Sequence, residues 1–402
     1  SKDRSAIGMS GQHPDLALWW SQRSGGFQTS SWYVEQLPEW VSTLNANWLA
    51  RFDATPFAKE WRGDLPVDFA RSGTEPDERD GELGKGAQRA FPHAVPAHDA
   101  AANEKQIAAV AAWCYTSPAC DMFVCEAARA AVAALEMGRD DVVDVLCISL
   151  SSCDTVGHNY GPRSFEVTDV LLRADRELER LFCELDAGVG AEHWIASLTA
   201  DHGVLELPET LAQRGVPAER ISGRVVGDSI KAARARIAAV HDGRDFYLAS
   251  NARGVRLSST AMNEAHVDAK LVRAEYATAL RETGAAWIEH ALTFDELEAV
   301  ARRGAAAQGL VRMEANSFDE QRTCDVVMLS KPWSIVGLPF GTTHGTPYSY
   351  DRAVPLAFYG PGFPHATSFA AAASIDAVPT LLTRLGVPVP AQLDGRALIA
   401  PP

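Results

Sequence analysis

The run Val142-Val143-Asp144-Val145-Leu146-Cys147-Ile148-Ser149-Leu150 leads within a few residues to Asp154-Thr155-Val156-Gly157-His158, and this stretch decides the fold class. A short apolar run rich in β-branched residues predicts a buried strand. Cys147 inside it reads as a small core residue. A second unit repeats the pattern: Trp194-Ile195-Ala196-Ser197-Leu198 leads to Asp201-His202-Gly203. Between them Ser164 can cap a helix that carries Val167, Leu171, Ala174, Leu178 and Leu181 at helical spacing. If the two strands share a sheet, strand–helix–strand order predicts a right-handed parallel crossover. The expectation is an α/β fold, with a mainly parallel sheet between helices. Open sheets of this kind place their functional residues beyond the carboxyl ends of the strands.

Both strand ends deliver the same chemistry. Asp154 and His158 offer a carboxylate oxygen and an imidazole nitrogen, and so do Asp201 and His202. Residues four apart share a face on a helix, but Gly157 predicts a loop at 154–158. Adjacent side chains on a strand point apart, so Asp201 and His202 converge only where the chain turns, and Gly203 permits a turn. A third segment, Gly341-Thr342-Thr343-His344-Gly345-Thr346-Pro347, is a glycine-flanked loop with one more imidazole. Singly, Asp154 with His158 reads better as a surface pair and His344 as a solvated loop histidine, while Asp201-His202 reads equally as a strand-ending turn. Together they read as most of a two-metal site for phosphoryl transfer. Lys2 and Arg4 flank Asp3; on a strand both cations point to one face, where they suit phosphate oxygens.

Bulk properties narrow the function classes. The 402 residues carry 37 basic and 52 acidic side chains, a net charge of -15. No basic block suggests nucleic acid, and an acidic surface repels polyanions, so a small phosphorylated substrate needs a local positive site. No apolar run reaches the roughly 18 residues of a membrane span. Seven cysteines leave at least one unpaired within the chain. Cys114, Cys120 and Cys125 are near enough for a local disulfide, and no CxxC pair suggests a zinc finger. The start Ser1-Lys2-Asp3-Arg4 has no initiator Met and no signal-peptide pattern, and reads like the middle of a domain.

Along the chain, a Trp-rich segment (Trp19, Trp20, Trp32, Trp40, Trp48) precedes a polar stretch from about 62 to 104 that reads as a surface excursion. Residues 105–137 predict a helix with Gly138 as its stop. Residues 207–330 break the pattern and read as an inserted cap, with helices near 229–240, 267–283 and 294–304 and a strand at 245–249. The core is expected to comprise residues 1–206 and 331–402. It resumes near His344, adds a strand at 354–359, and ends in a helix near 376–385 capped by Asp376, with Pro379 in its first turn.

These motifs carry a resemblance. Ser1-Lys2-Asp3-Arg4-Ser5-Ala6, Ser152-Cys153-Asp154-Thr155-Val156-Gly157-His158-Asn159-Tyr160-Gly161-Pro162, Thr199-Ala200-Asp201-His202-Gly203 and Gly341-Thr342-Thr343-His344-Gly345, with Ser349-Tyr350-Asp351 and Val354-Pro355-Leu356 behind it, follow one another in family order. The chain resembles the alkaline phosphatase superfamily, in the branch of phosphate-irrepressible alkaline phosphatases and type I phosphodiesterase/nucleotide pyrophosphatases. The resemblance implies a two-zinc site: Asp154, His158 and His344 on one ion, Asp201 and His202 on the other. It implies that Lys2 and Arg4 bind phosphoryl oxygens, which tilts the choice to monoesters over diesters. A non-catalytic phosphate- or partner-binding domain is the rival of a different class. The family's nucleophile and one further metal-binding Asp precede the segment matched by Ser1–Arg4. The expectation is therefore that the domain's first part is absent here and that this chain alone turns over little. The family also implies a periplasmic or secreted location. Oligomeric state and physiological substrate are not legible.

Overall fold

A computed structural model describes residues 1–64, 77–83, 89–99, 101–303 and 306–400. The fold is α/β, with helices and short strands alternating along the chain. Two compact units are present: Ser1–Asp201 with the chain from Val354 on, and His202–Ala353. The division falls inside the Asp201-His202-Gly203 motif.

The first unit is built on an aromatic core. Trp20, Phe52, Trp61, Val110, Phe123, Val156 and Val170 are buried together, and the Trp20 ring stacks on Phe123 at 5.1 Å. The Trp-rich segment therefore supplies core, although Trp32 stays exposed. The region expected to form a helix over 105–137 is two helices, Glu104–Tyr115 and Pro118–Ala134, bent by 87°. Ser117 causes the break: its hydroxyl accepts from Ala119 N, and Pro118 takes the first helical position, where a missing N–H costs nothing. The polar stretch after residue 62 is not simply a surface excursion, because Arg79, Glu82 and His93 are buried; residues 65–76, 84–88 and 100 lie outside the described residues.

The helix expected after Ser164 is present as Phe165–Leu185, with the Ser164 hydroxyl accepting from Val167 N. Its inward face is Val167, Val170 and Leu181 rather than the full predicted stripe, and Leu171 is exposed. Residues 142–150 do not form the expected strand: Val142, Val143, Val145 and Leu146 are exposed, and so is Cys147. The parallel crossover is accordingly not formed. The second predicted strand is present as Ala196–Thr199, and it pairs antiparallel with Leu356–Tyr359. Asp376 precedes the helix Ala377–Arg384 but does not cap it; its carboxylate accepts from Ala373 N and Arg396 N.

The second unit holds an antiparallel sheet in the order Tyr247–Asn251, Gly254–Leu257, Val326–Ser330, Ile288–Thr293. Helices Gly223–Val240 and Ala269–Thr283 pack on each other, and the latter packs on the sheet. Ile230, Ala233, Ile237, Phe246, Val272, Tyr276, Leu280 and Trp287 fill the core. The first of these helices starts earlier than predicted because Ser222 caps it. A parallel pair joins Glu219–Ile221 to Ser334–Val336. No helix among the described residues is long and apolar enough to cross a membrane. All seven cysteines are free, with Cys114, Cys120 and Cys125 buried as thiols.

Candidate metal centre

Asp154 and His158 lie on a helix, Ser152–Tyr160, and not on the loop that Gly157 predicts. Their spacing of four therefore does put them on one face, with His158 Nε2 3.3 Å from Asp154 Oδ1. A glycine costs a helix only about 1 kcal/mol, and tertiary contacts outweigh that. Val156 is fully buried in the first unit's core. Asp121, itself buried, accepts from Ser152 N at 3.2 Å with both carboxylate oxygens. The Thr155 hydroxyl donates to Tyr115 O at 3.0 Å. Burial pushes the Asp121 carboxyl up to about 6, against the pull of the Ser152 hydrogen bonds.

The chain's first residues meet this helix. Ser1 donates its amino group to Ser149 O at 2.9 Å, and its hydroxyl accepts from Ser151 N at 3.0 Å. Those bonds hold Lys2 so that its ammonium donates to Asp154 Oδ2, with both side chains mostly buried. The two-residue alternation proposed for Lys2 and Arg4 does not apply, because Asp3–Ser10 is a helix and Lys2 is its extended N-cap. Arg4 sits exposed in the first helical turn. Burial pushes the Tyr115 phenol up; among smaller influences Arg4 pulls it down and Asp154 pushes it up.

In the second unit the His202 and His344 rings stack, with centroids 3.3 Å apart and planes 11° from parallel. His202 Nδ1 lies 2.9 Å from Gly203 O. Gly203 is required by close approach rather than by a special turn: a Cβ there would lie 2.3 Å from Tyr350 O. Gly203 N donates to Asp351 O at 2.8 Å, and the Thr342 hydroxyl donates to Leu205 O at 2.6 Å. Asp201, the last residue of the first unit's leading segment, is exposed just beyond its strand.

The structure thus gathers Lys2, Asp154 and His158 in one unit and His202 with His344 in the other. Oxygen and imidazole donors of this kind fit zinc. The fit has a local observation behind it: the Asp154 carboxylate already takes a cation, the Lys2 ammonium. Several residues that shape the site escaped sequence reasoning. Asp121, Thr155, Arg220 and Arg253 act through contacts more than 30 residues away in sequence, where spacing carries no signal.

Comparison with known proteins supplies the family. Residues 29–346 match a family model described as type I phosphodiesterase / nucleotide pyrophosphatase. The chain is 28% identical over 399 residues to the alkaline phosphatase PafA of Elizabethkingia meningoseptica, covering 99% of this chain and 69% of that protein. It is 29% identical over 408 residues to the alkaline phosphatase PhoV of Synechococcus elongatus, covering 99% of this chain and 68% of that one. A crystal structure of wild-type PafA superposes with a TM-score of 0.84 at 27% identity, covering 99% of this chain and 72% of that chain.

Proposed function

Because the chain belongs to the type I phosphodiesterase / nucleotide pyrophosphatase family, we propose that it carries most of a two-zinc site that hydrolyses small phosphate monoesters. The observation that supports this most directly is the Lys2 ammonium held on the Asp154 carboxylate beside His158. In this reading Asp154 and His158 would, with His344, hold the ion that stabilises the leaving oxygen, and carboxylate and imidazole donors suit that ion. Asp201 and His202 contribute to the ion on the attacking side. Divalent ions, when bound, supply Lewis acidity and a template for in-line displacement. Lys2 and Arg4 bind the phosphoryl oxygens that a monoester leaves charged and a diester does not. The likeness to alkaline phosphatases supports phosphoester hydrolysis as the reaction class.

The second reading, a diesterase, has the family's own description in its favour. Aryl phosphate mono- and diesters separate the two on the intact gene product: faster diester cleavage overturns the monoester choice. Lys2→Ala is expected to lower kcat/KM for the monoester about 10- to 100-fold, the loss of one or more charged hydrogen bonds, and to spare the diester. Zinc analysis separates both from a non-catalytic domain. About two zinc ions are expected in the complete protein, and failure of this chain to retain even one with excess zinc at neutral pH sinks the metal assignment.

No residue of this chain is assigned the attacking role. Residues 1–402 by themselves are therefore expected to turn over little, and robust turnover by pure 43.3 kDa material would show the catalytic residues misplaced. A periplasmic or secreted location belongs to the same proposal, and fractionation of the source cells tests it.

A further inference from the structure

We infer that Asp351 is a positioning residue that locks the His202 and His344 segments to each other, an inference that rests on the metal reading above only for its consequence. Asp351 is buried in the short helix Ser349–Arg352. Its Oδ2 accepts from Thr346 N at 2.8 Å and from the Thr346 hydroxyl at 2.6 Å. Its main-chain carbonyl accepts from Gly203 N. One residue therefore fixes the chain two positions after His344 through its side chain and one position after His202 through its backbone.

The rest of the loop is held from the region that the sequence reads as a cap. Arg220 grips Glu209 with two nitrogens at 2.7 and 2.8 Å and donates Nη1 to Gly341 O at 2.9 Å. Arg253 donates to Gly345 O and pairs with Glu314 at 3.2 Å. The Gly341 and Gly345 carbonyls on either side of His344 thus accept from guanidinium groups, and the Thr346 amide donates to the Asp351 carboxylate. Groups behind metal ligands set ligand orientation, and their loss typically costs about 10- to 100-fold in metal affinity. The cap is accordingly part of the ligand support.

The test measures amide exchange and cobalt affinity on the full chain. Asp351→Ala is expected to speed exchange of the Thr346 and Gly203 amides more than tenfold. It should also weaken Co²⁺ binding, read from its visible absorption, by about 10- to 100-fold. Asp351→Asn keeps an acceptor oxygen for Thr346 and should restore both. The Gly203 amide is decisive, because its own acceptor is untouched by the substitution. If Thr346 exchanges faster while Gly203 and cobalt affinity stay as in the parent, the carboxylate is a local turn cap and the inference falls. Should Asp351→Ala fail to fold, Thr346→Val removes one of the two bonds and must loosen the Gly203 amide in the same direction, or the inference falls. A parent chain that binds no cobalt defeats the metal reading, while Gly203 exchange still decides the coupling.

Discussion

At the scale of single residues, the buried charges are the most exacting feature. Glu82 is fully buried, and burial pushes its carboxyl up to about 7 although Arg79 pairs with it at 3.0 Å. Glu166, Asp77 and His93 lie in the same cluster, with His93 Nε2 2.9 Å from Glu166 Oε1. A carboxyl whose folded pKa is raised favours folding while protonated. Its contribution is complete below the unfolded value near 4.5 and is lost as pH rises through about 7. Urea midpoints should therefore fall for the parent chain between pH 5 and 8. Glu82→Gln should flatten that fall by about 1–3 kcal/mol. An unchanged pH slope in the glutamine variant would mean that another group titrates. Gly203 is as constrained sterically. Gly203→Ala drives a methyl to 2.3 Å from Tyr350 O, and urea unfolding should show a loss of about 1–3 kcal/mol.

At the scale of elements, local signals and partner-dependent ones behave differently. Helix starts were legible where a side chain meets its own backbone, as at Ser164. The break at Ser117-Pro118 is also a local signal, but the alanine-rich run around it reads as one continuous helix and masked it. Asp154, His158, Asp201 and His202 stood out as candidates by residue type and position after an apolar run, and His344 by residue type in a glycine-flanked loop, all of them local signals. The loop expected at 154–158 was wrong because propensity at Gly157 is weaker than the burial of Val156 and the Asp121 contact. Strand 142–150 failed for a related reason: a strand needs a partner's hydrogen bonds, and side-chain pattern alone cannot supply one. The outcome is an apolar segment outside any helix or strand, with Val145 78% exposed. Exposed, unpaired, β-prone segments promote association. Light scattering should show concentration-dependent self-association of this chain. Val145→Lys should suppress it with stability unchanged within about 0.5 kcal/mol. A large loss of stability in that variant would place Val145 in a core after all.

At the scale of the whole molecule, two units each enclose their own hydrophobic core. Trp20, Phe52, Trp61 and Phe123 anchor the first; Val272, Tyr276, Leu280 and Trp287 anchor the second. Units with separate cores need not unfold in one step. The acidic surface, -15 overall, adds self-repulsion that screening by salt relieves. Leu280 is fully buried, so Leu280→Ala should destabilise its unit by about 2–5 kcal/mol. The effect should be confined. Followed by amide exchange in urea, protection in Ala269–Thr283 should collapse at lower denaturant, while protection in Pro118–Ala134 keeps its midpoint. Phe123→Ala should reverse the pattern, because Phe123 belongs to the other core. If both helices lose protection together in either variant, the two cores melt as a single cooperative body and the division at His202 and Ala353 has no energetic meaning.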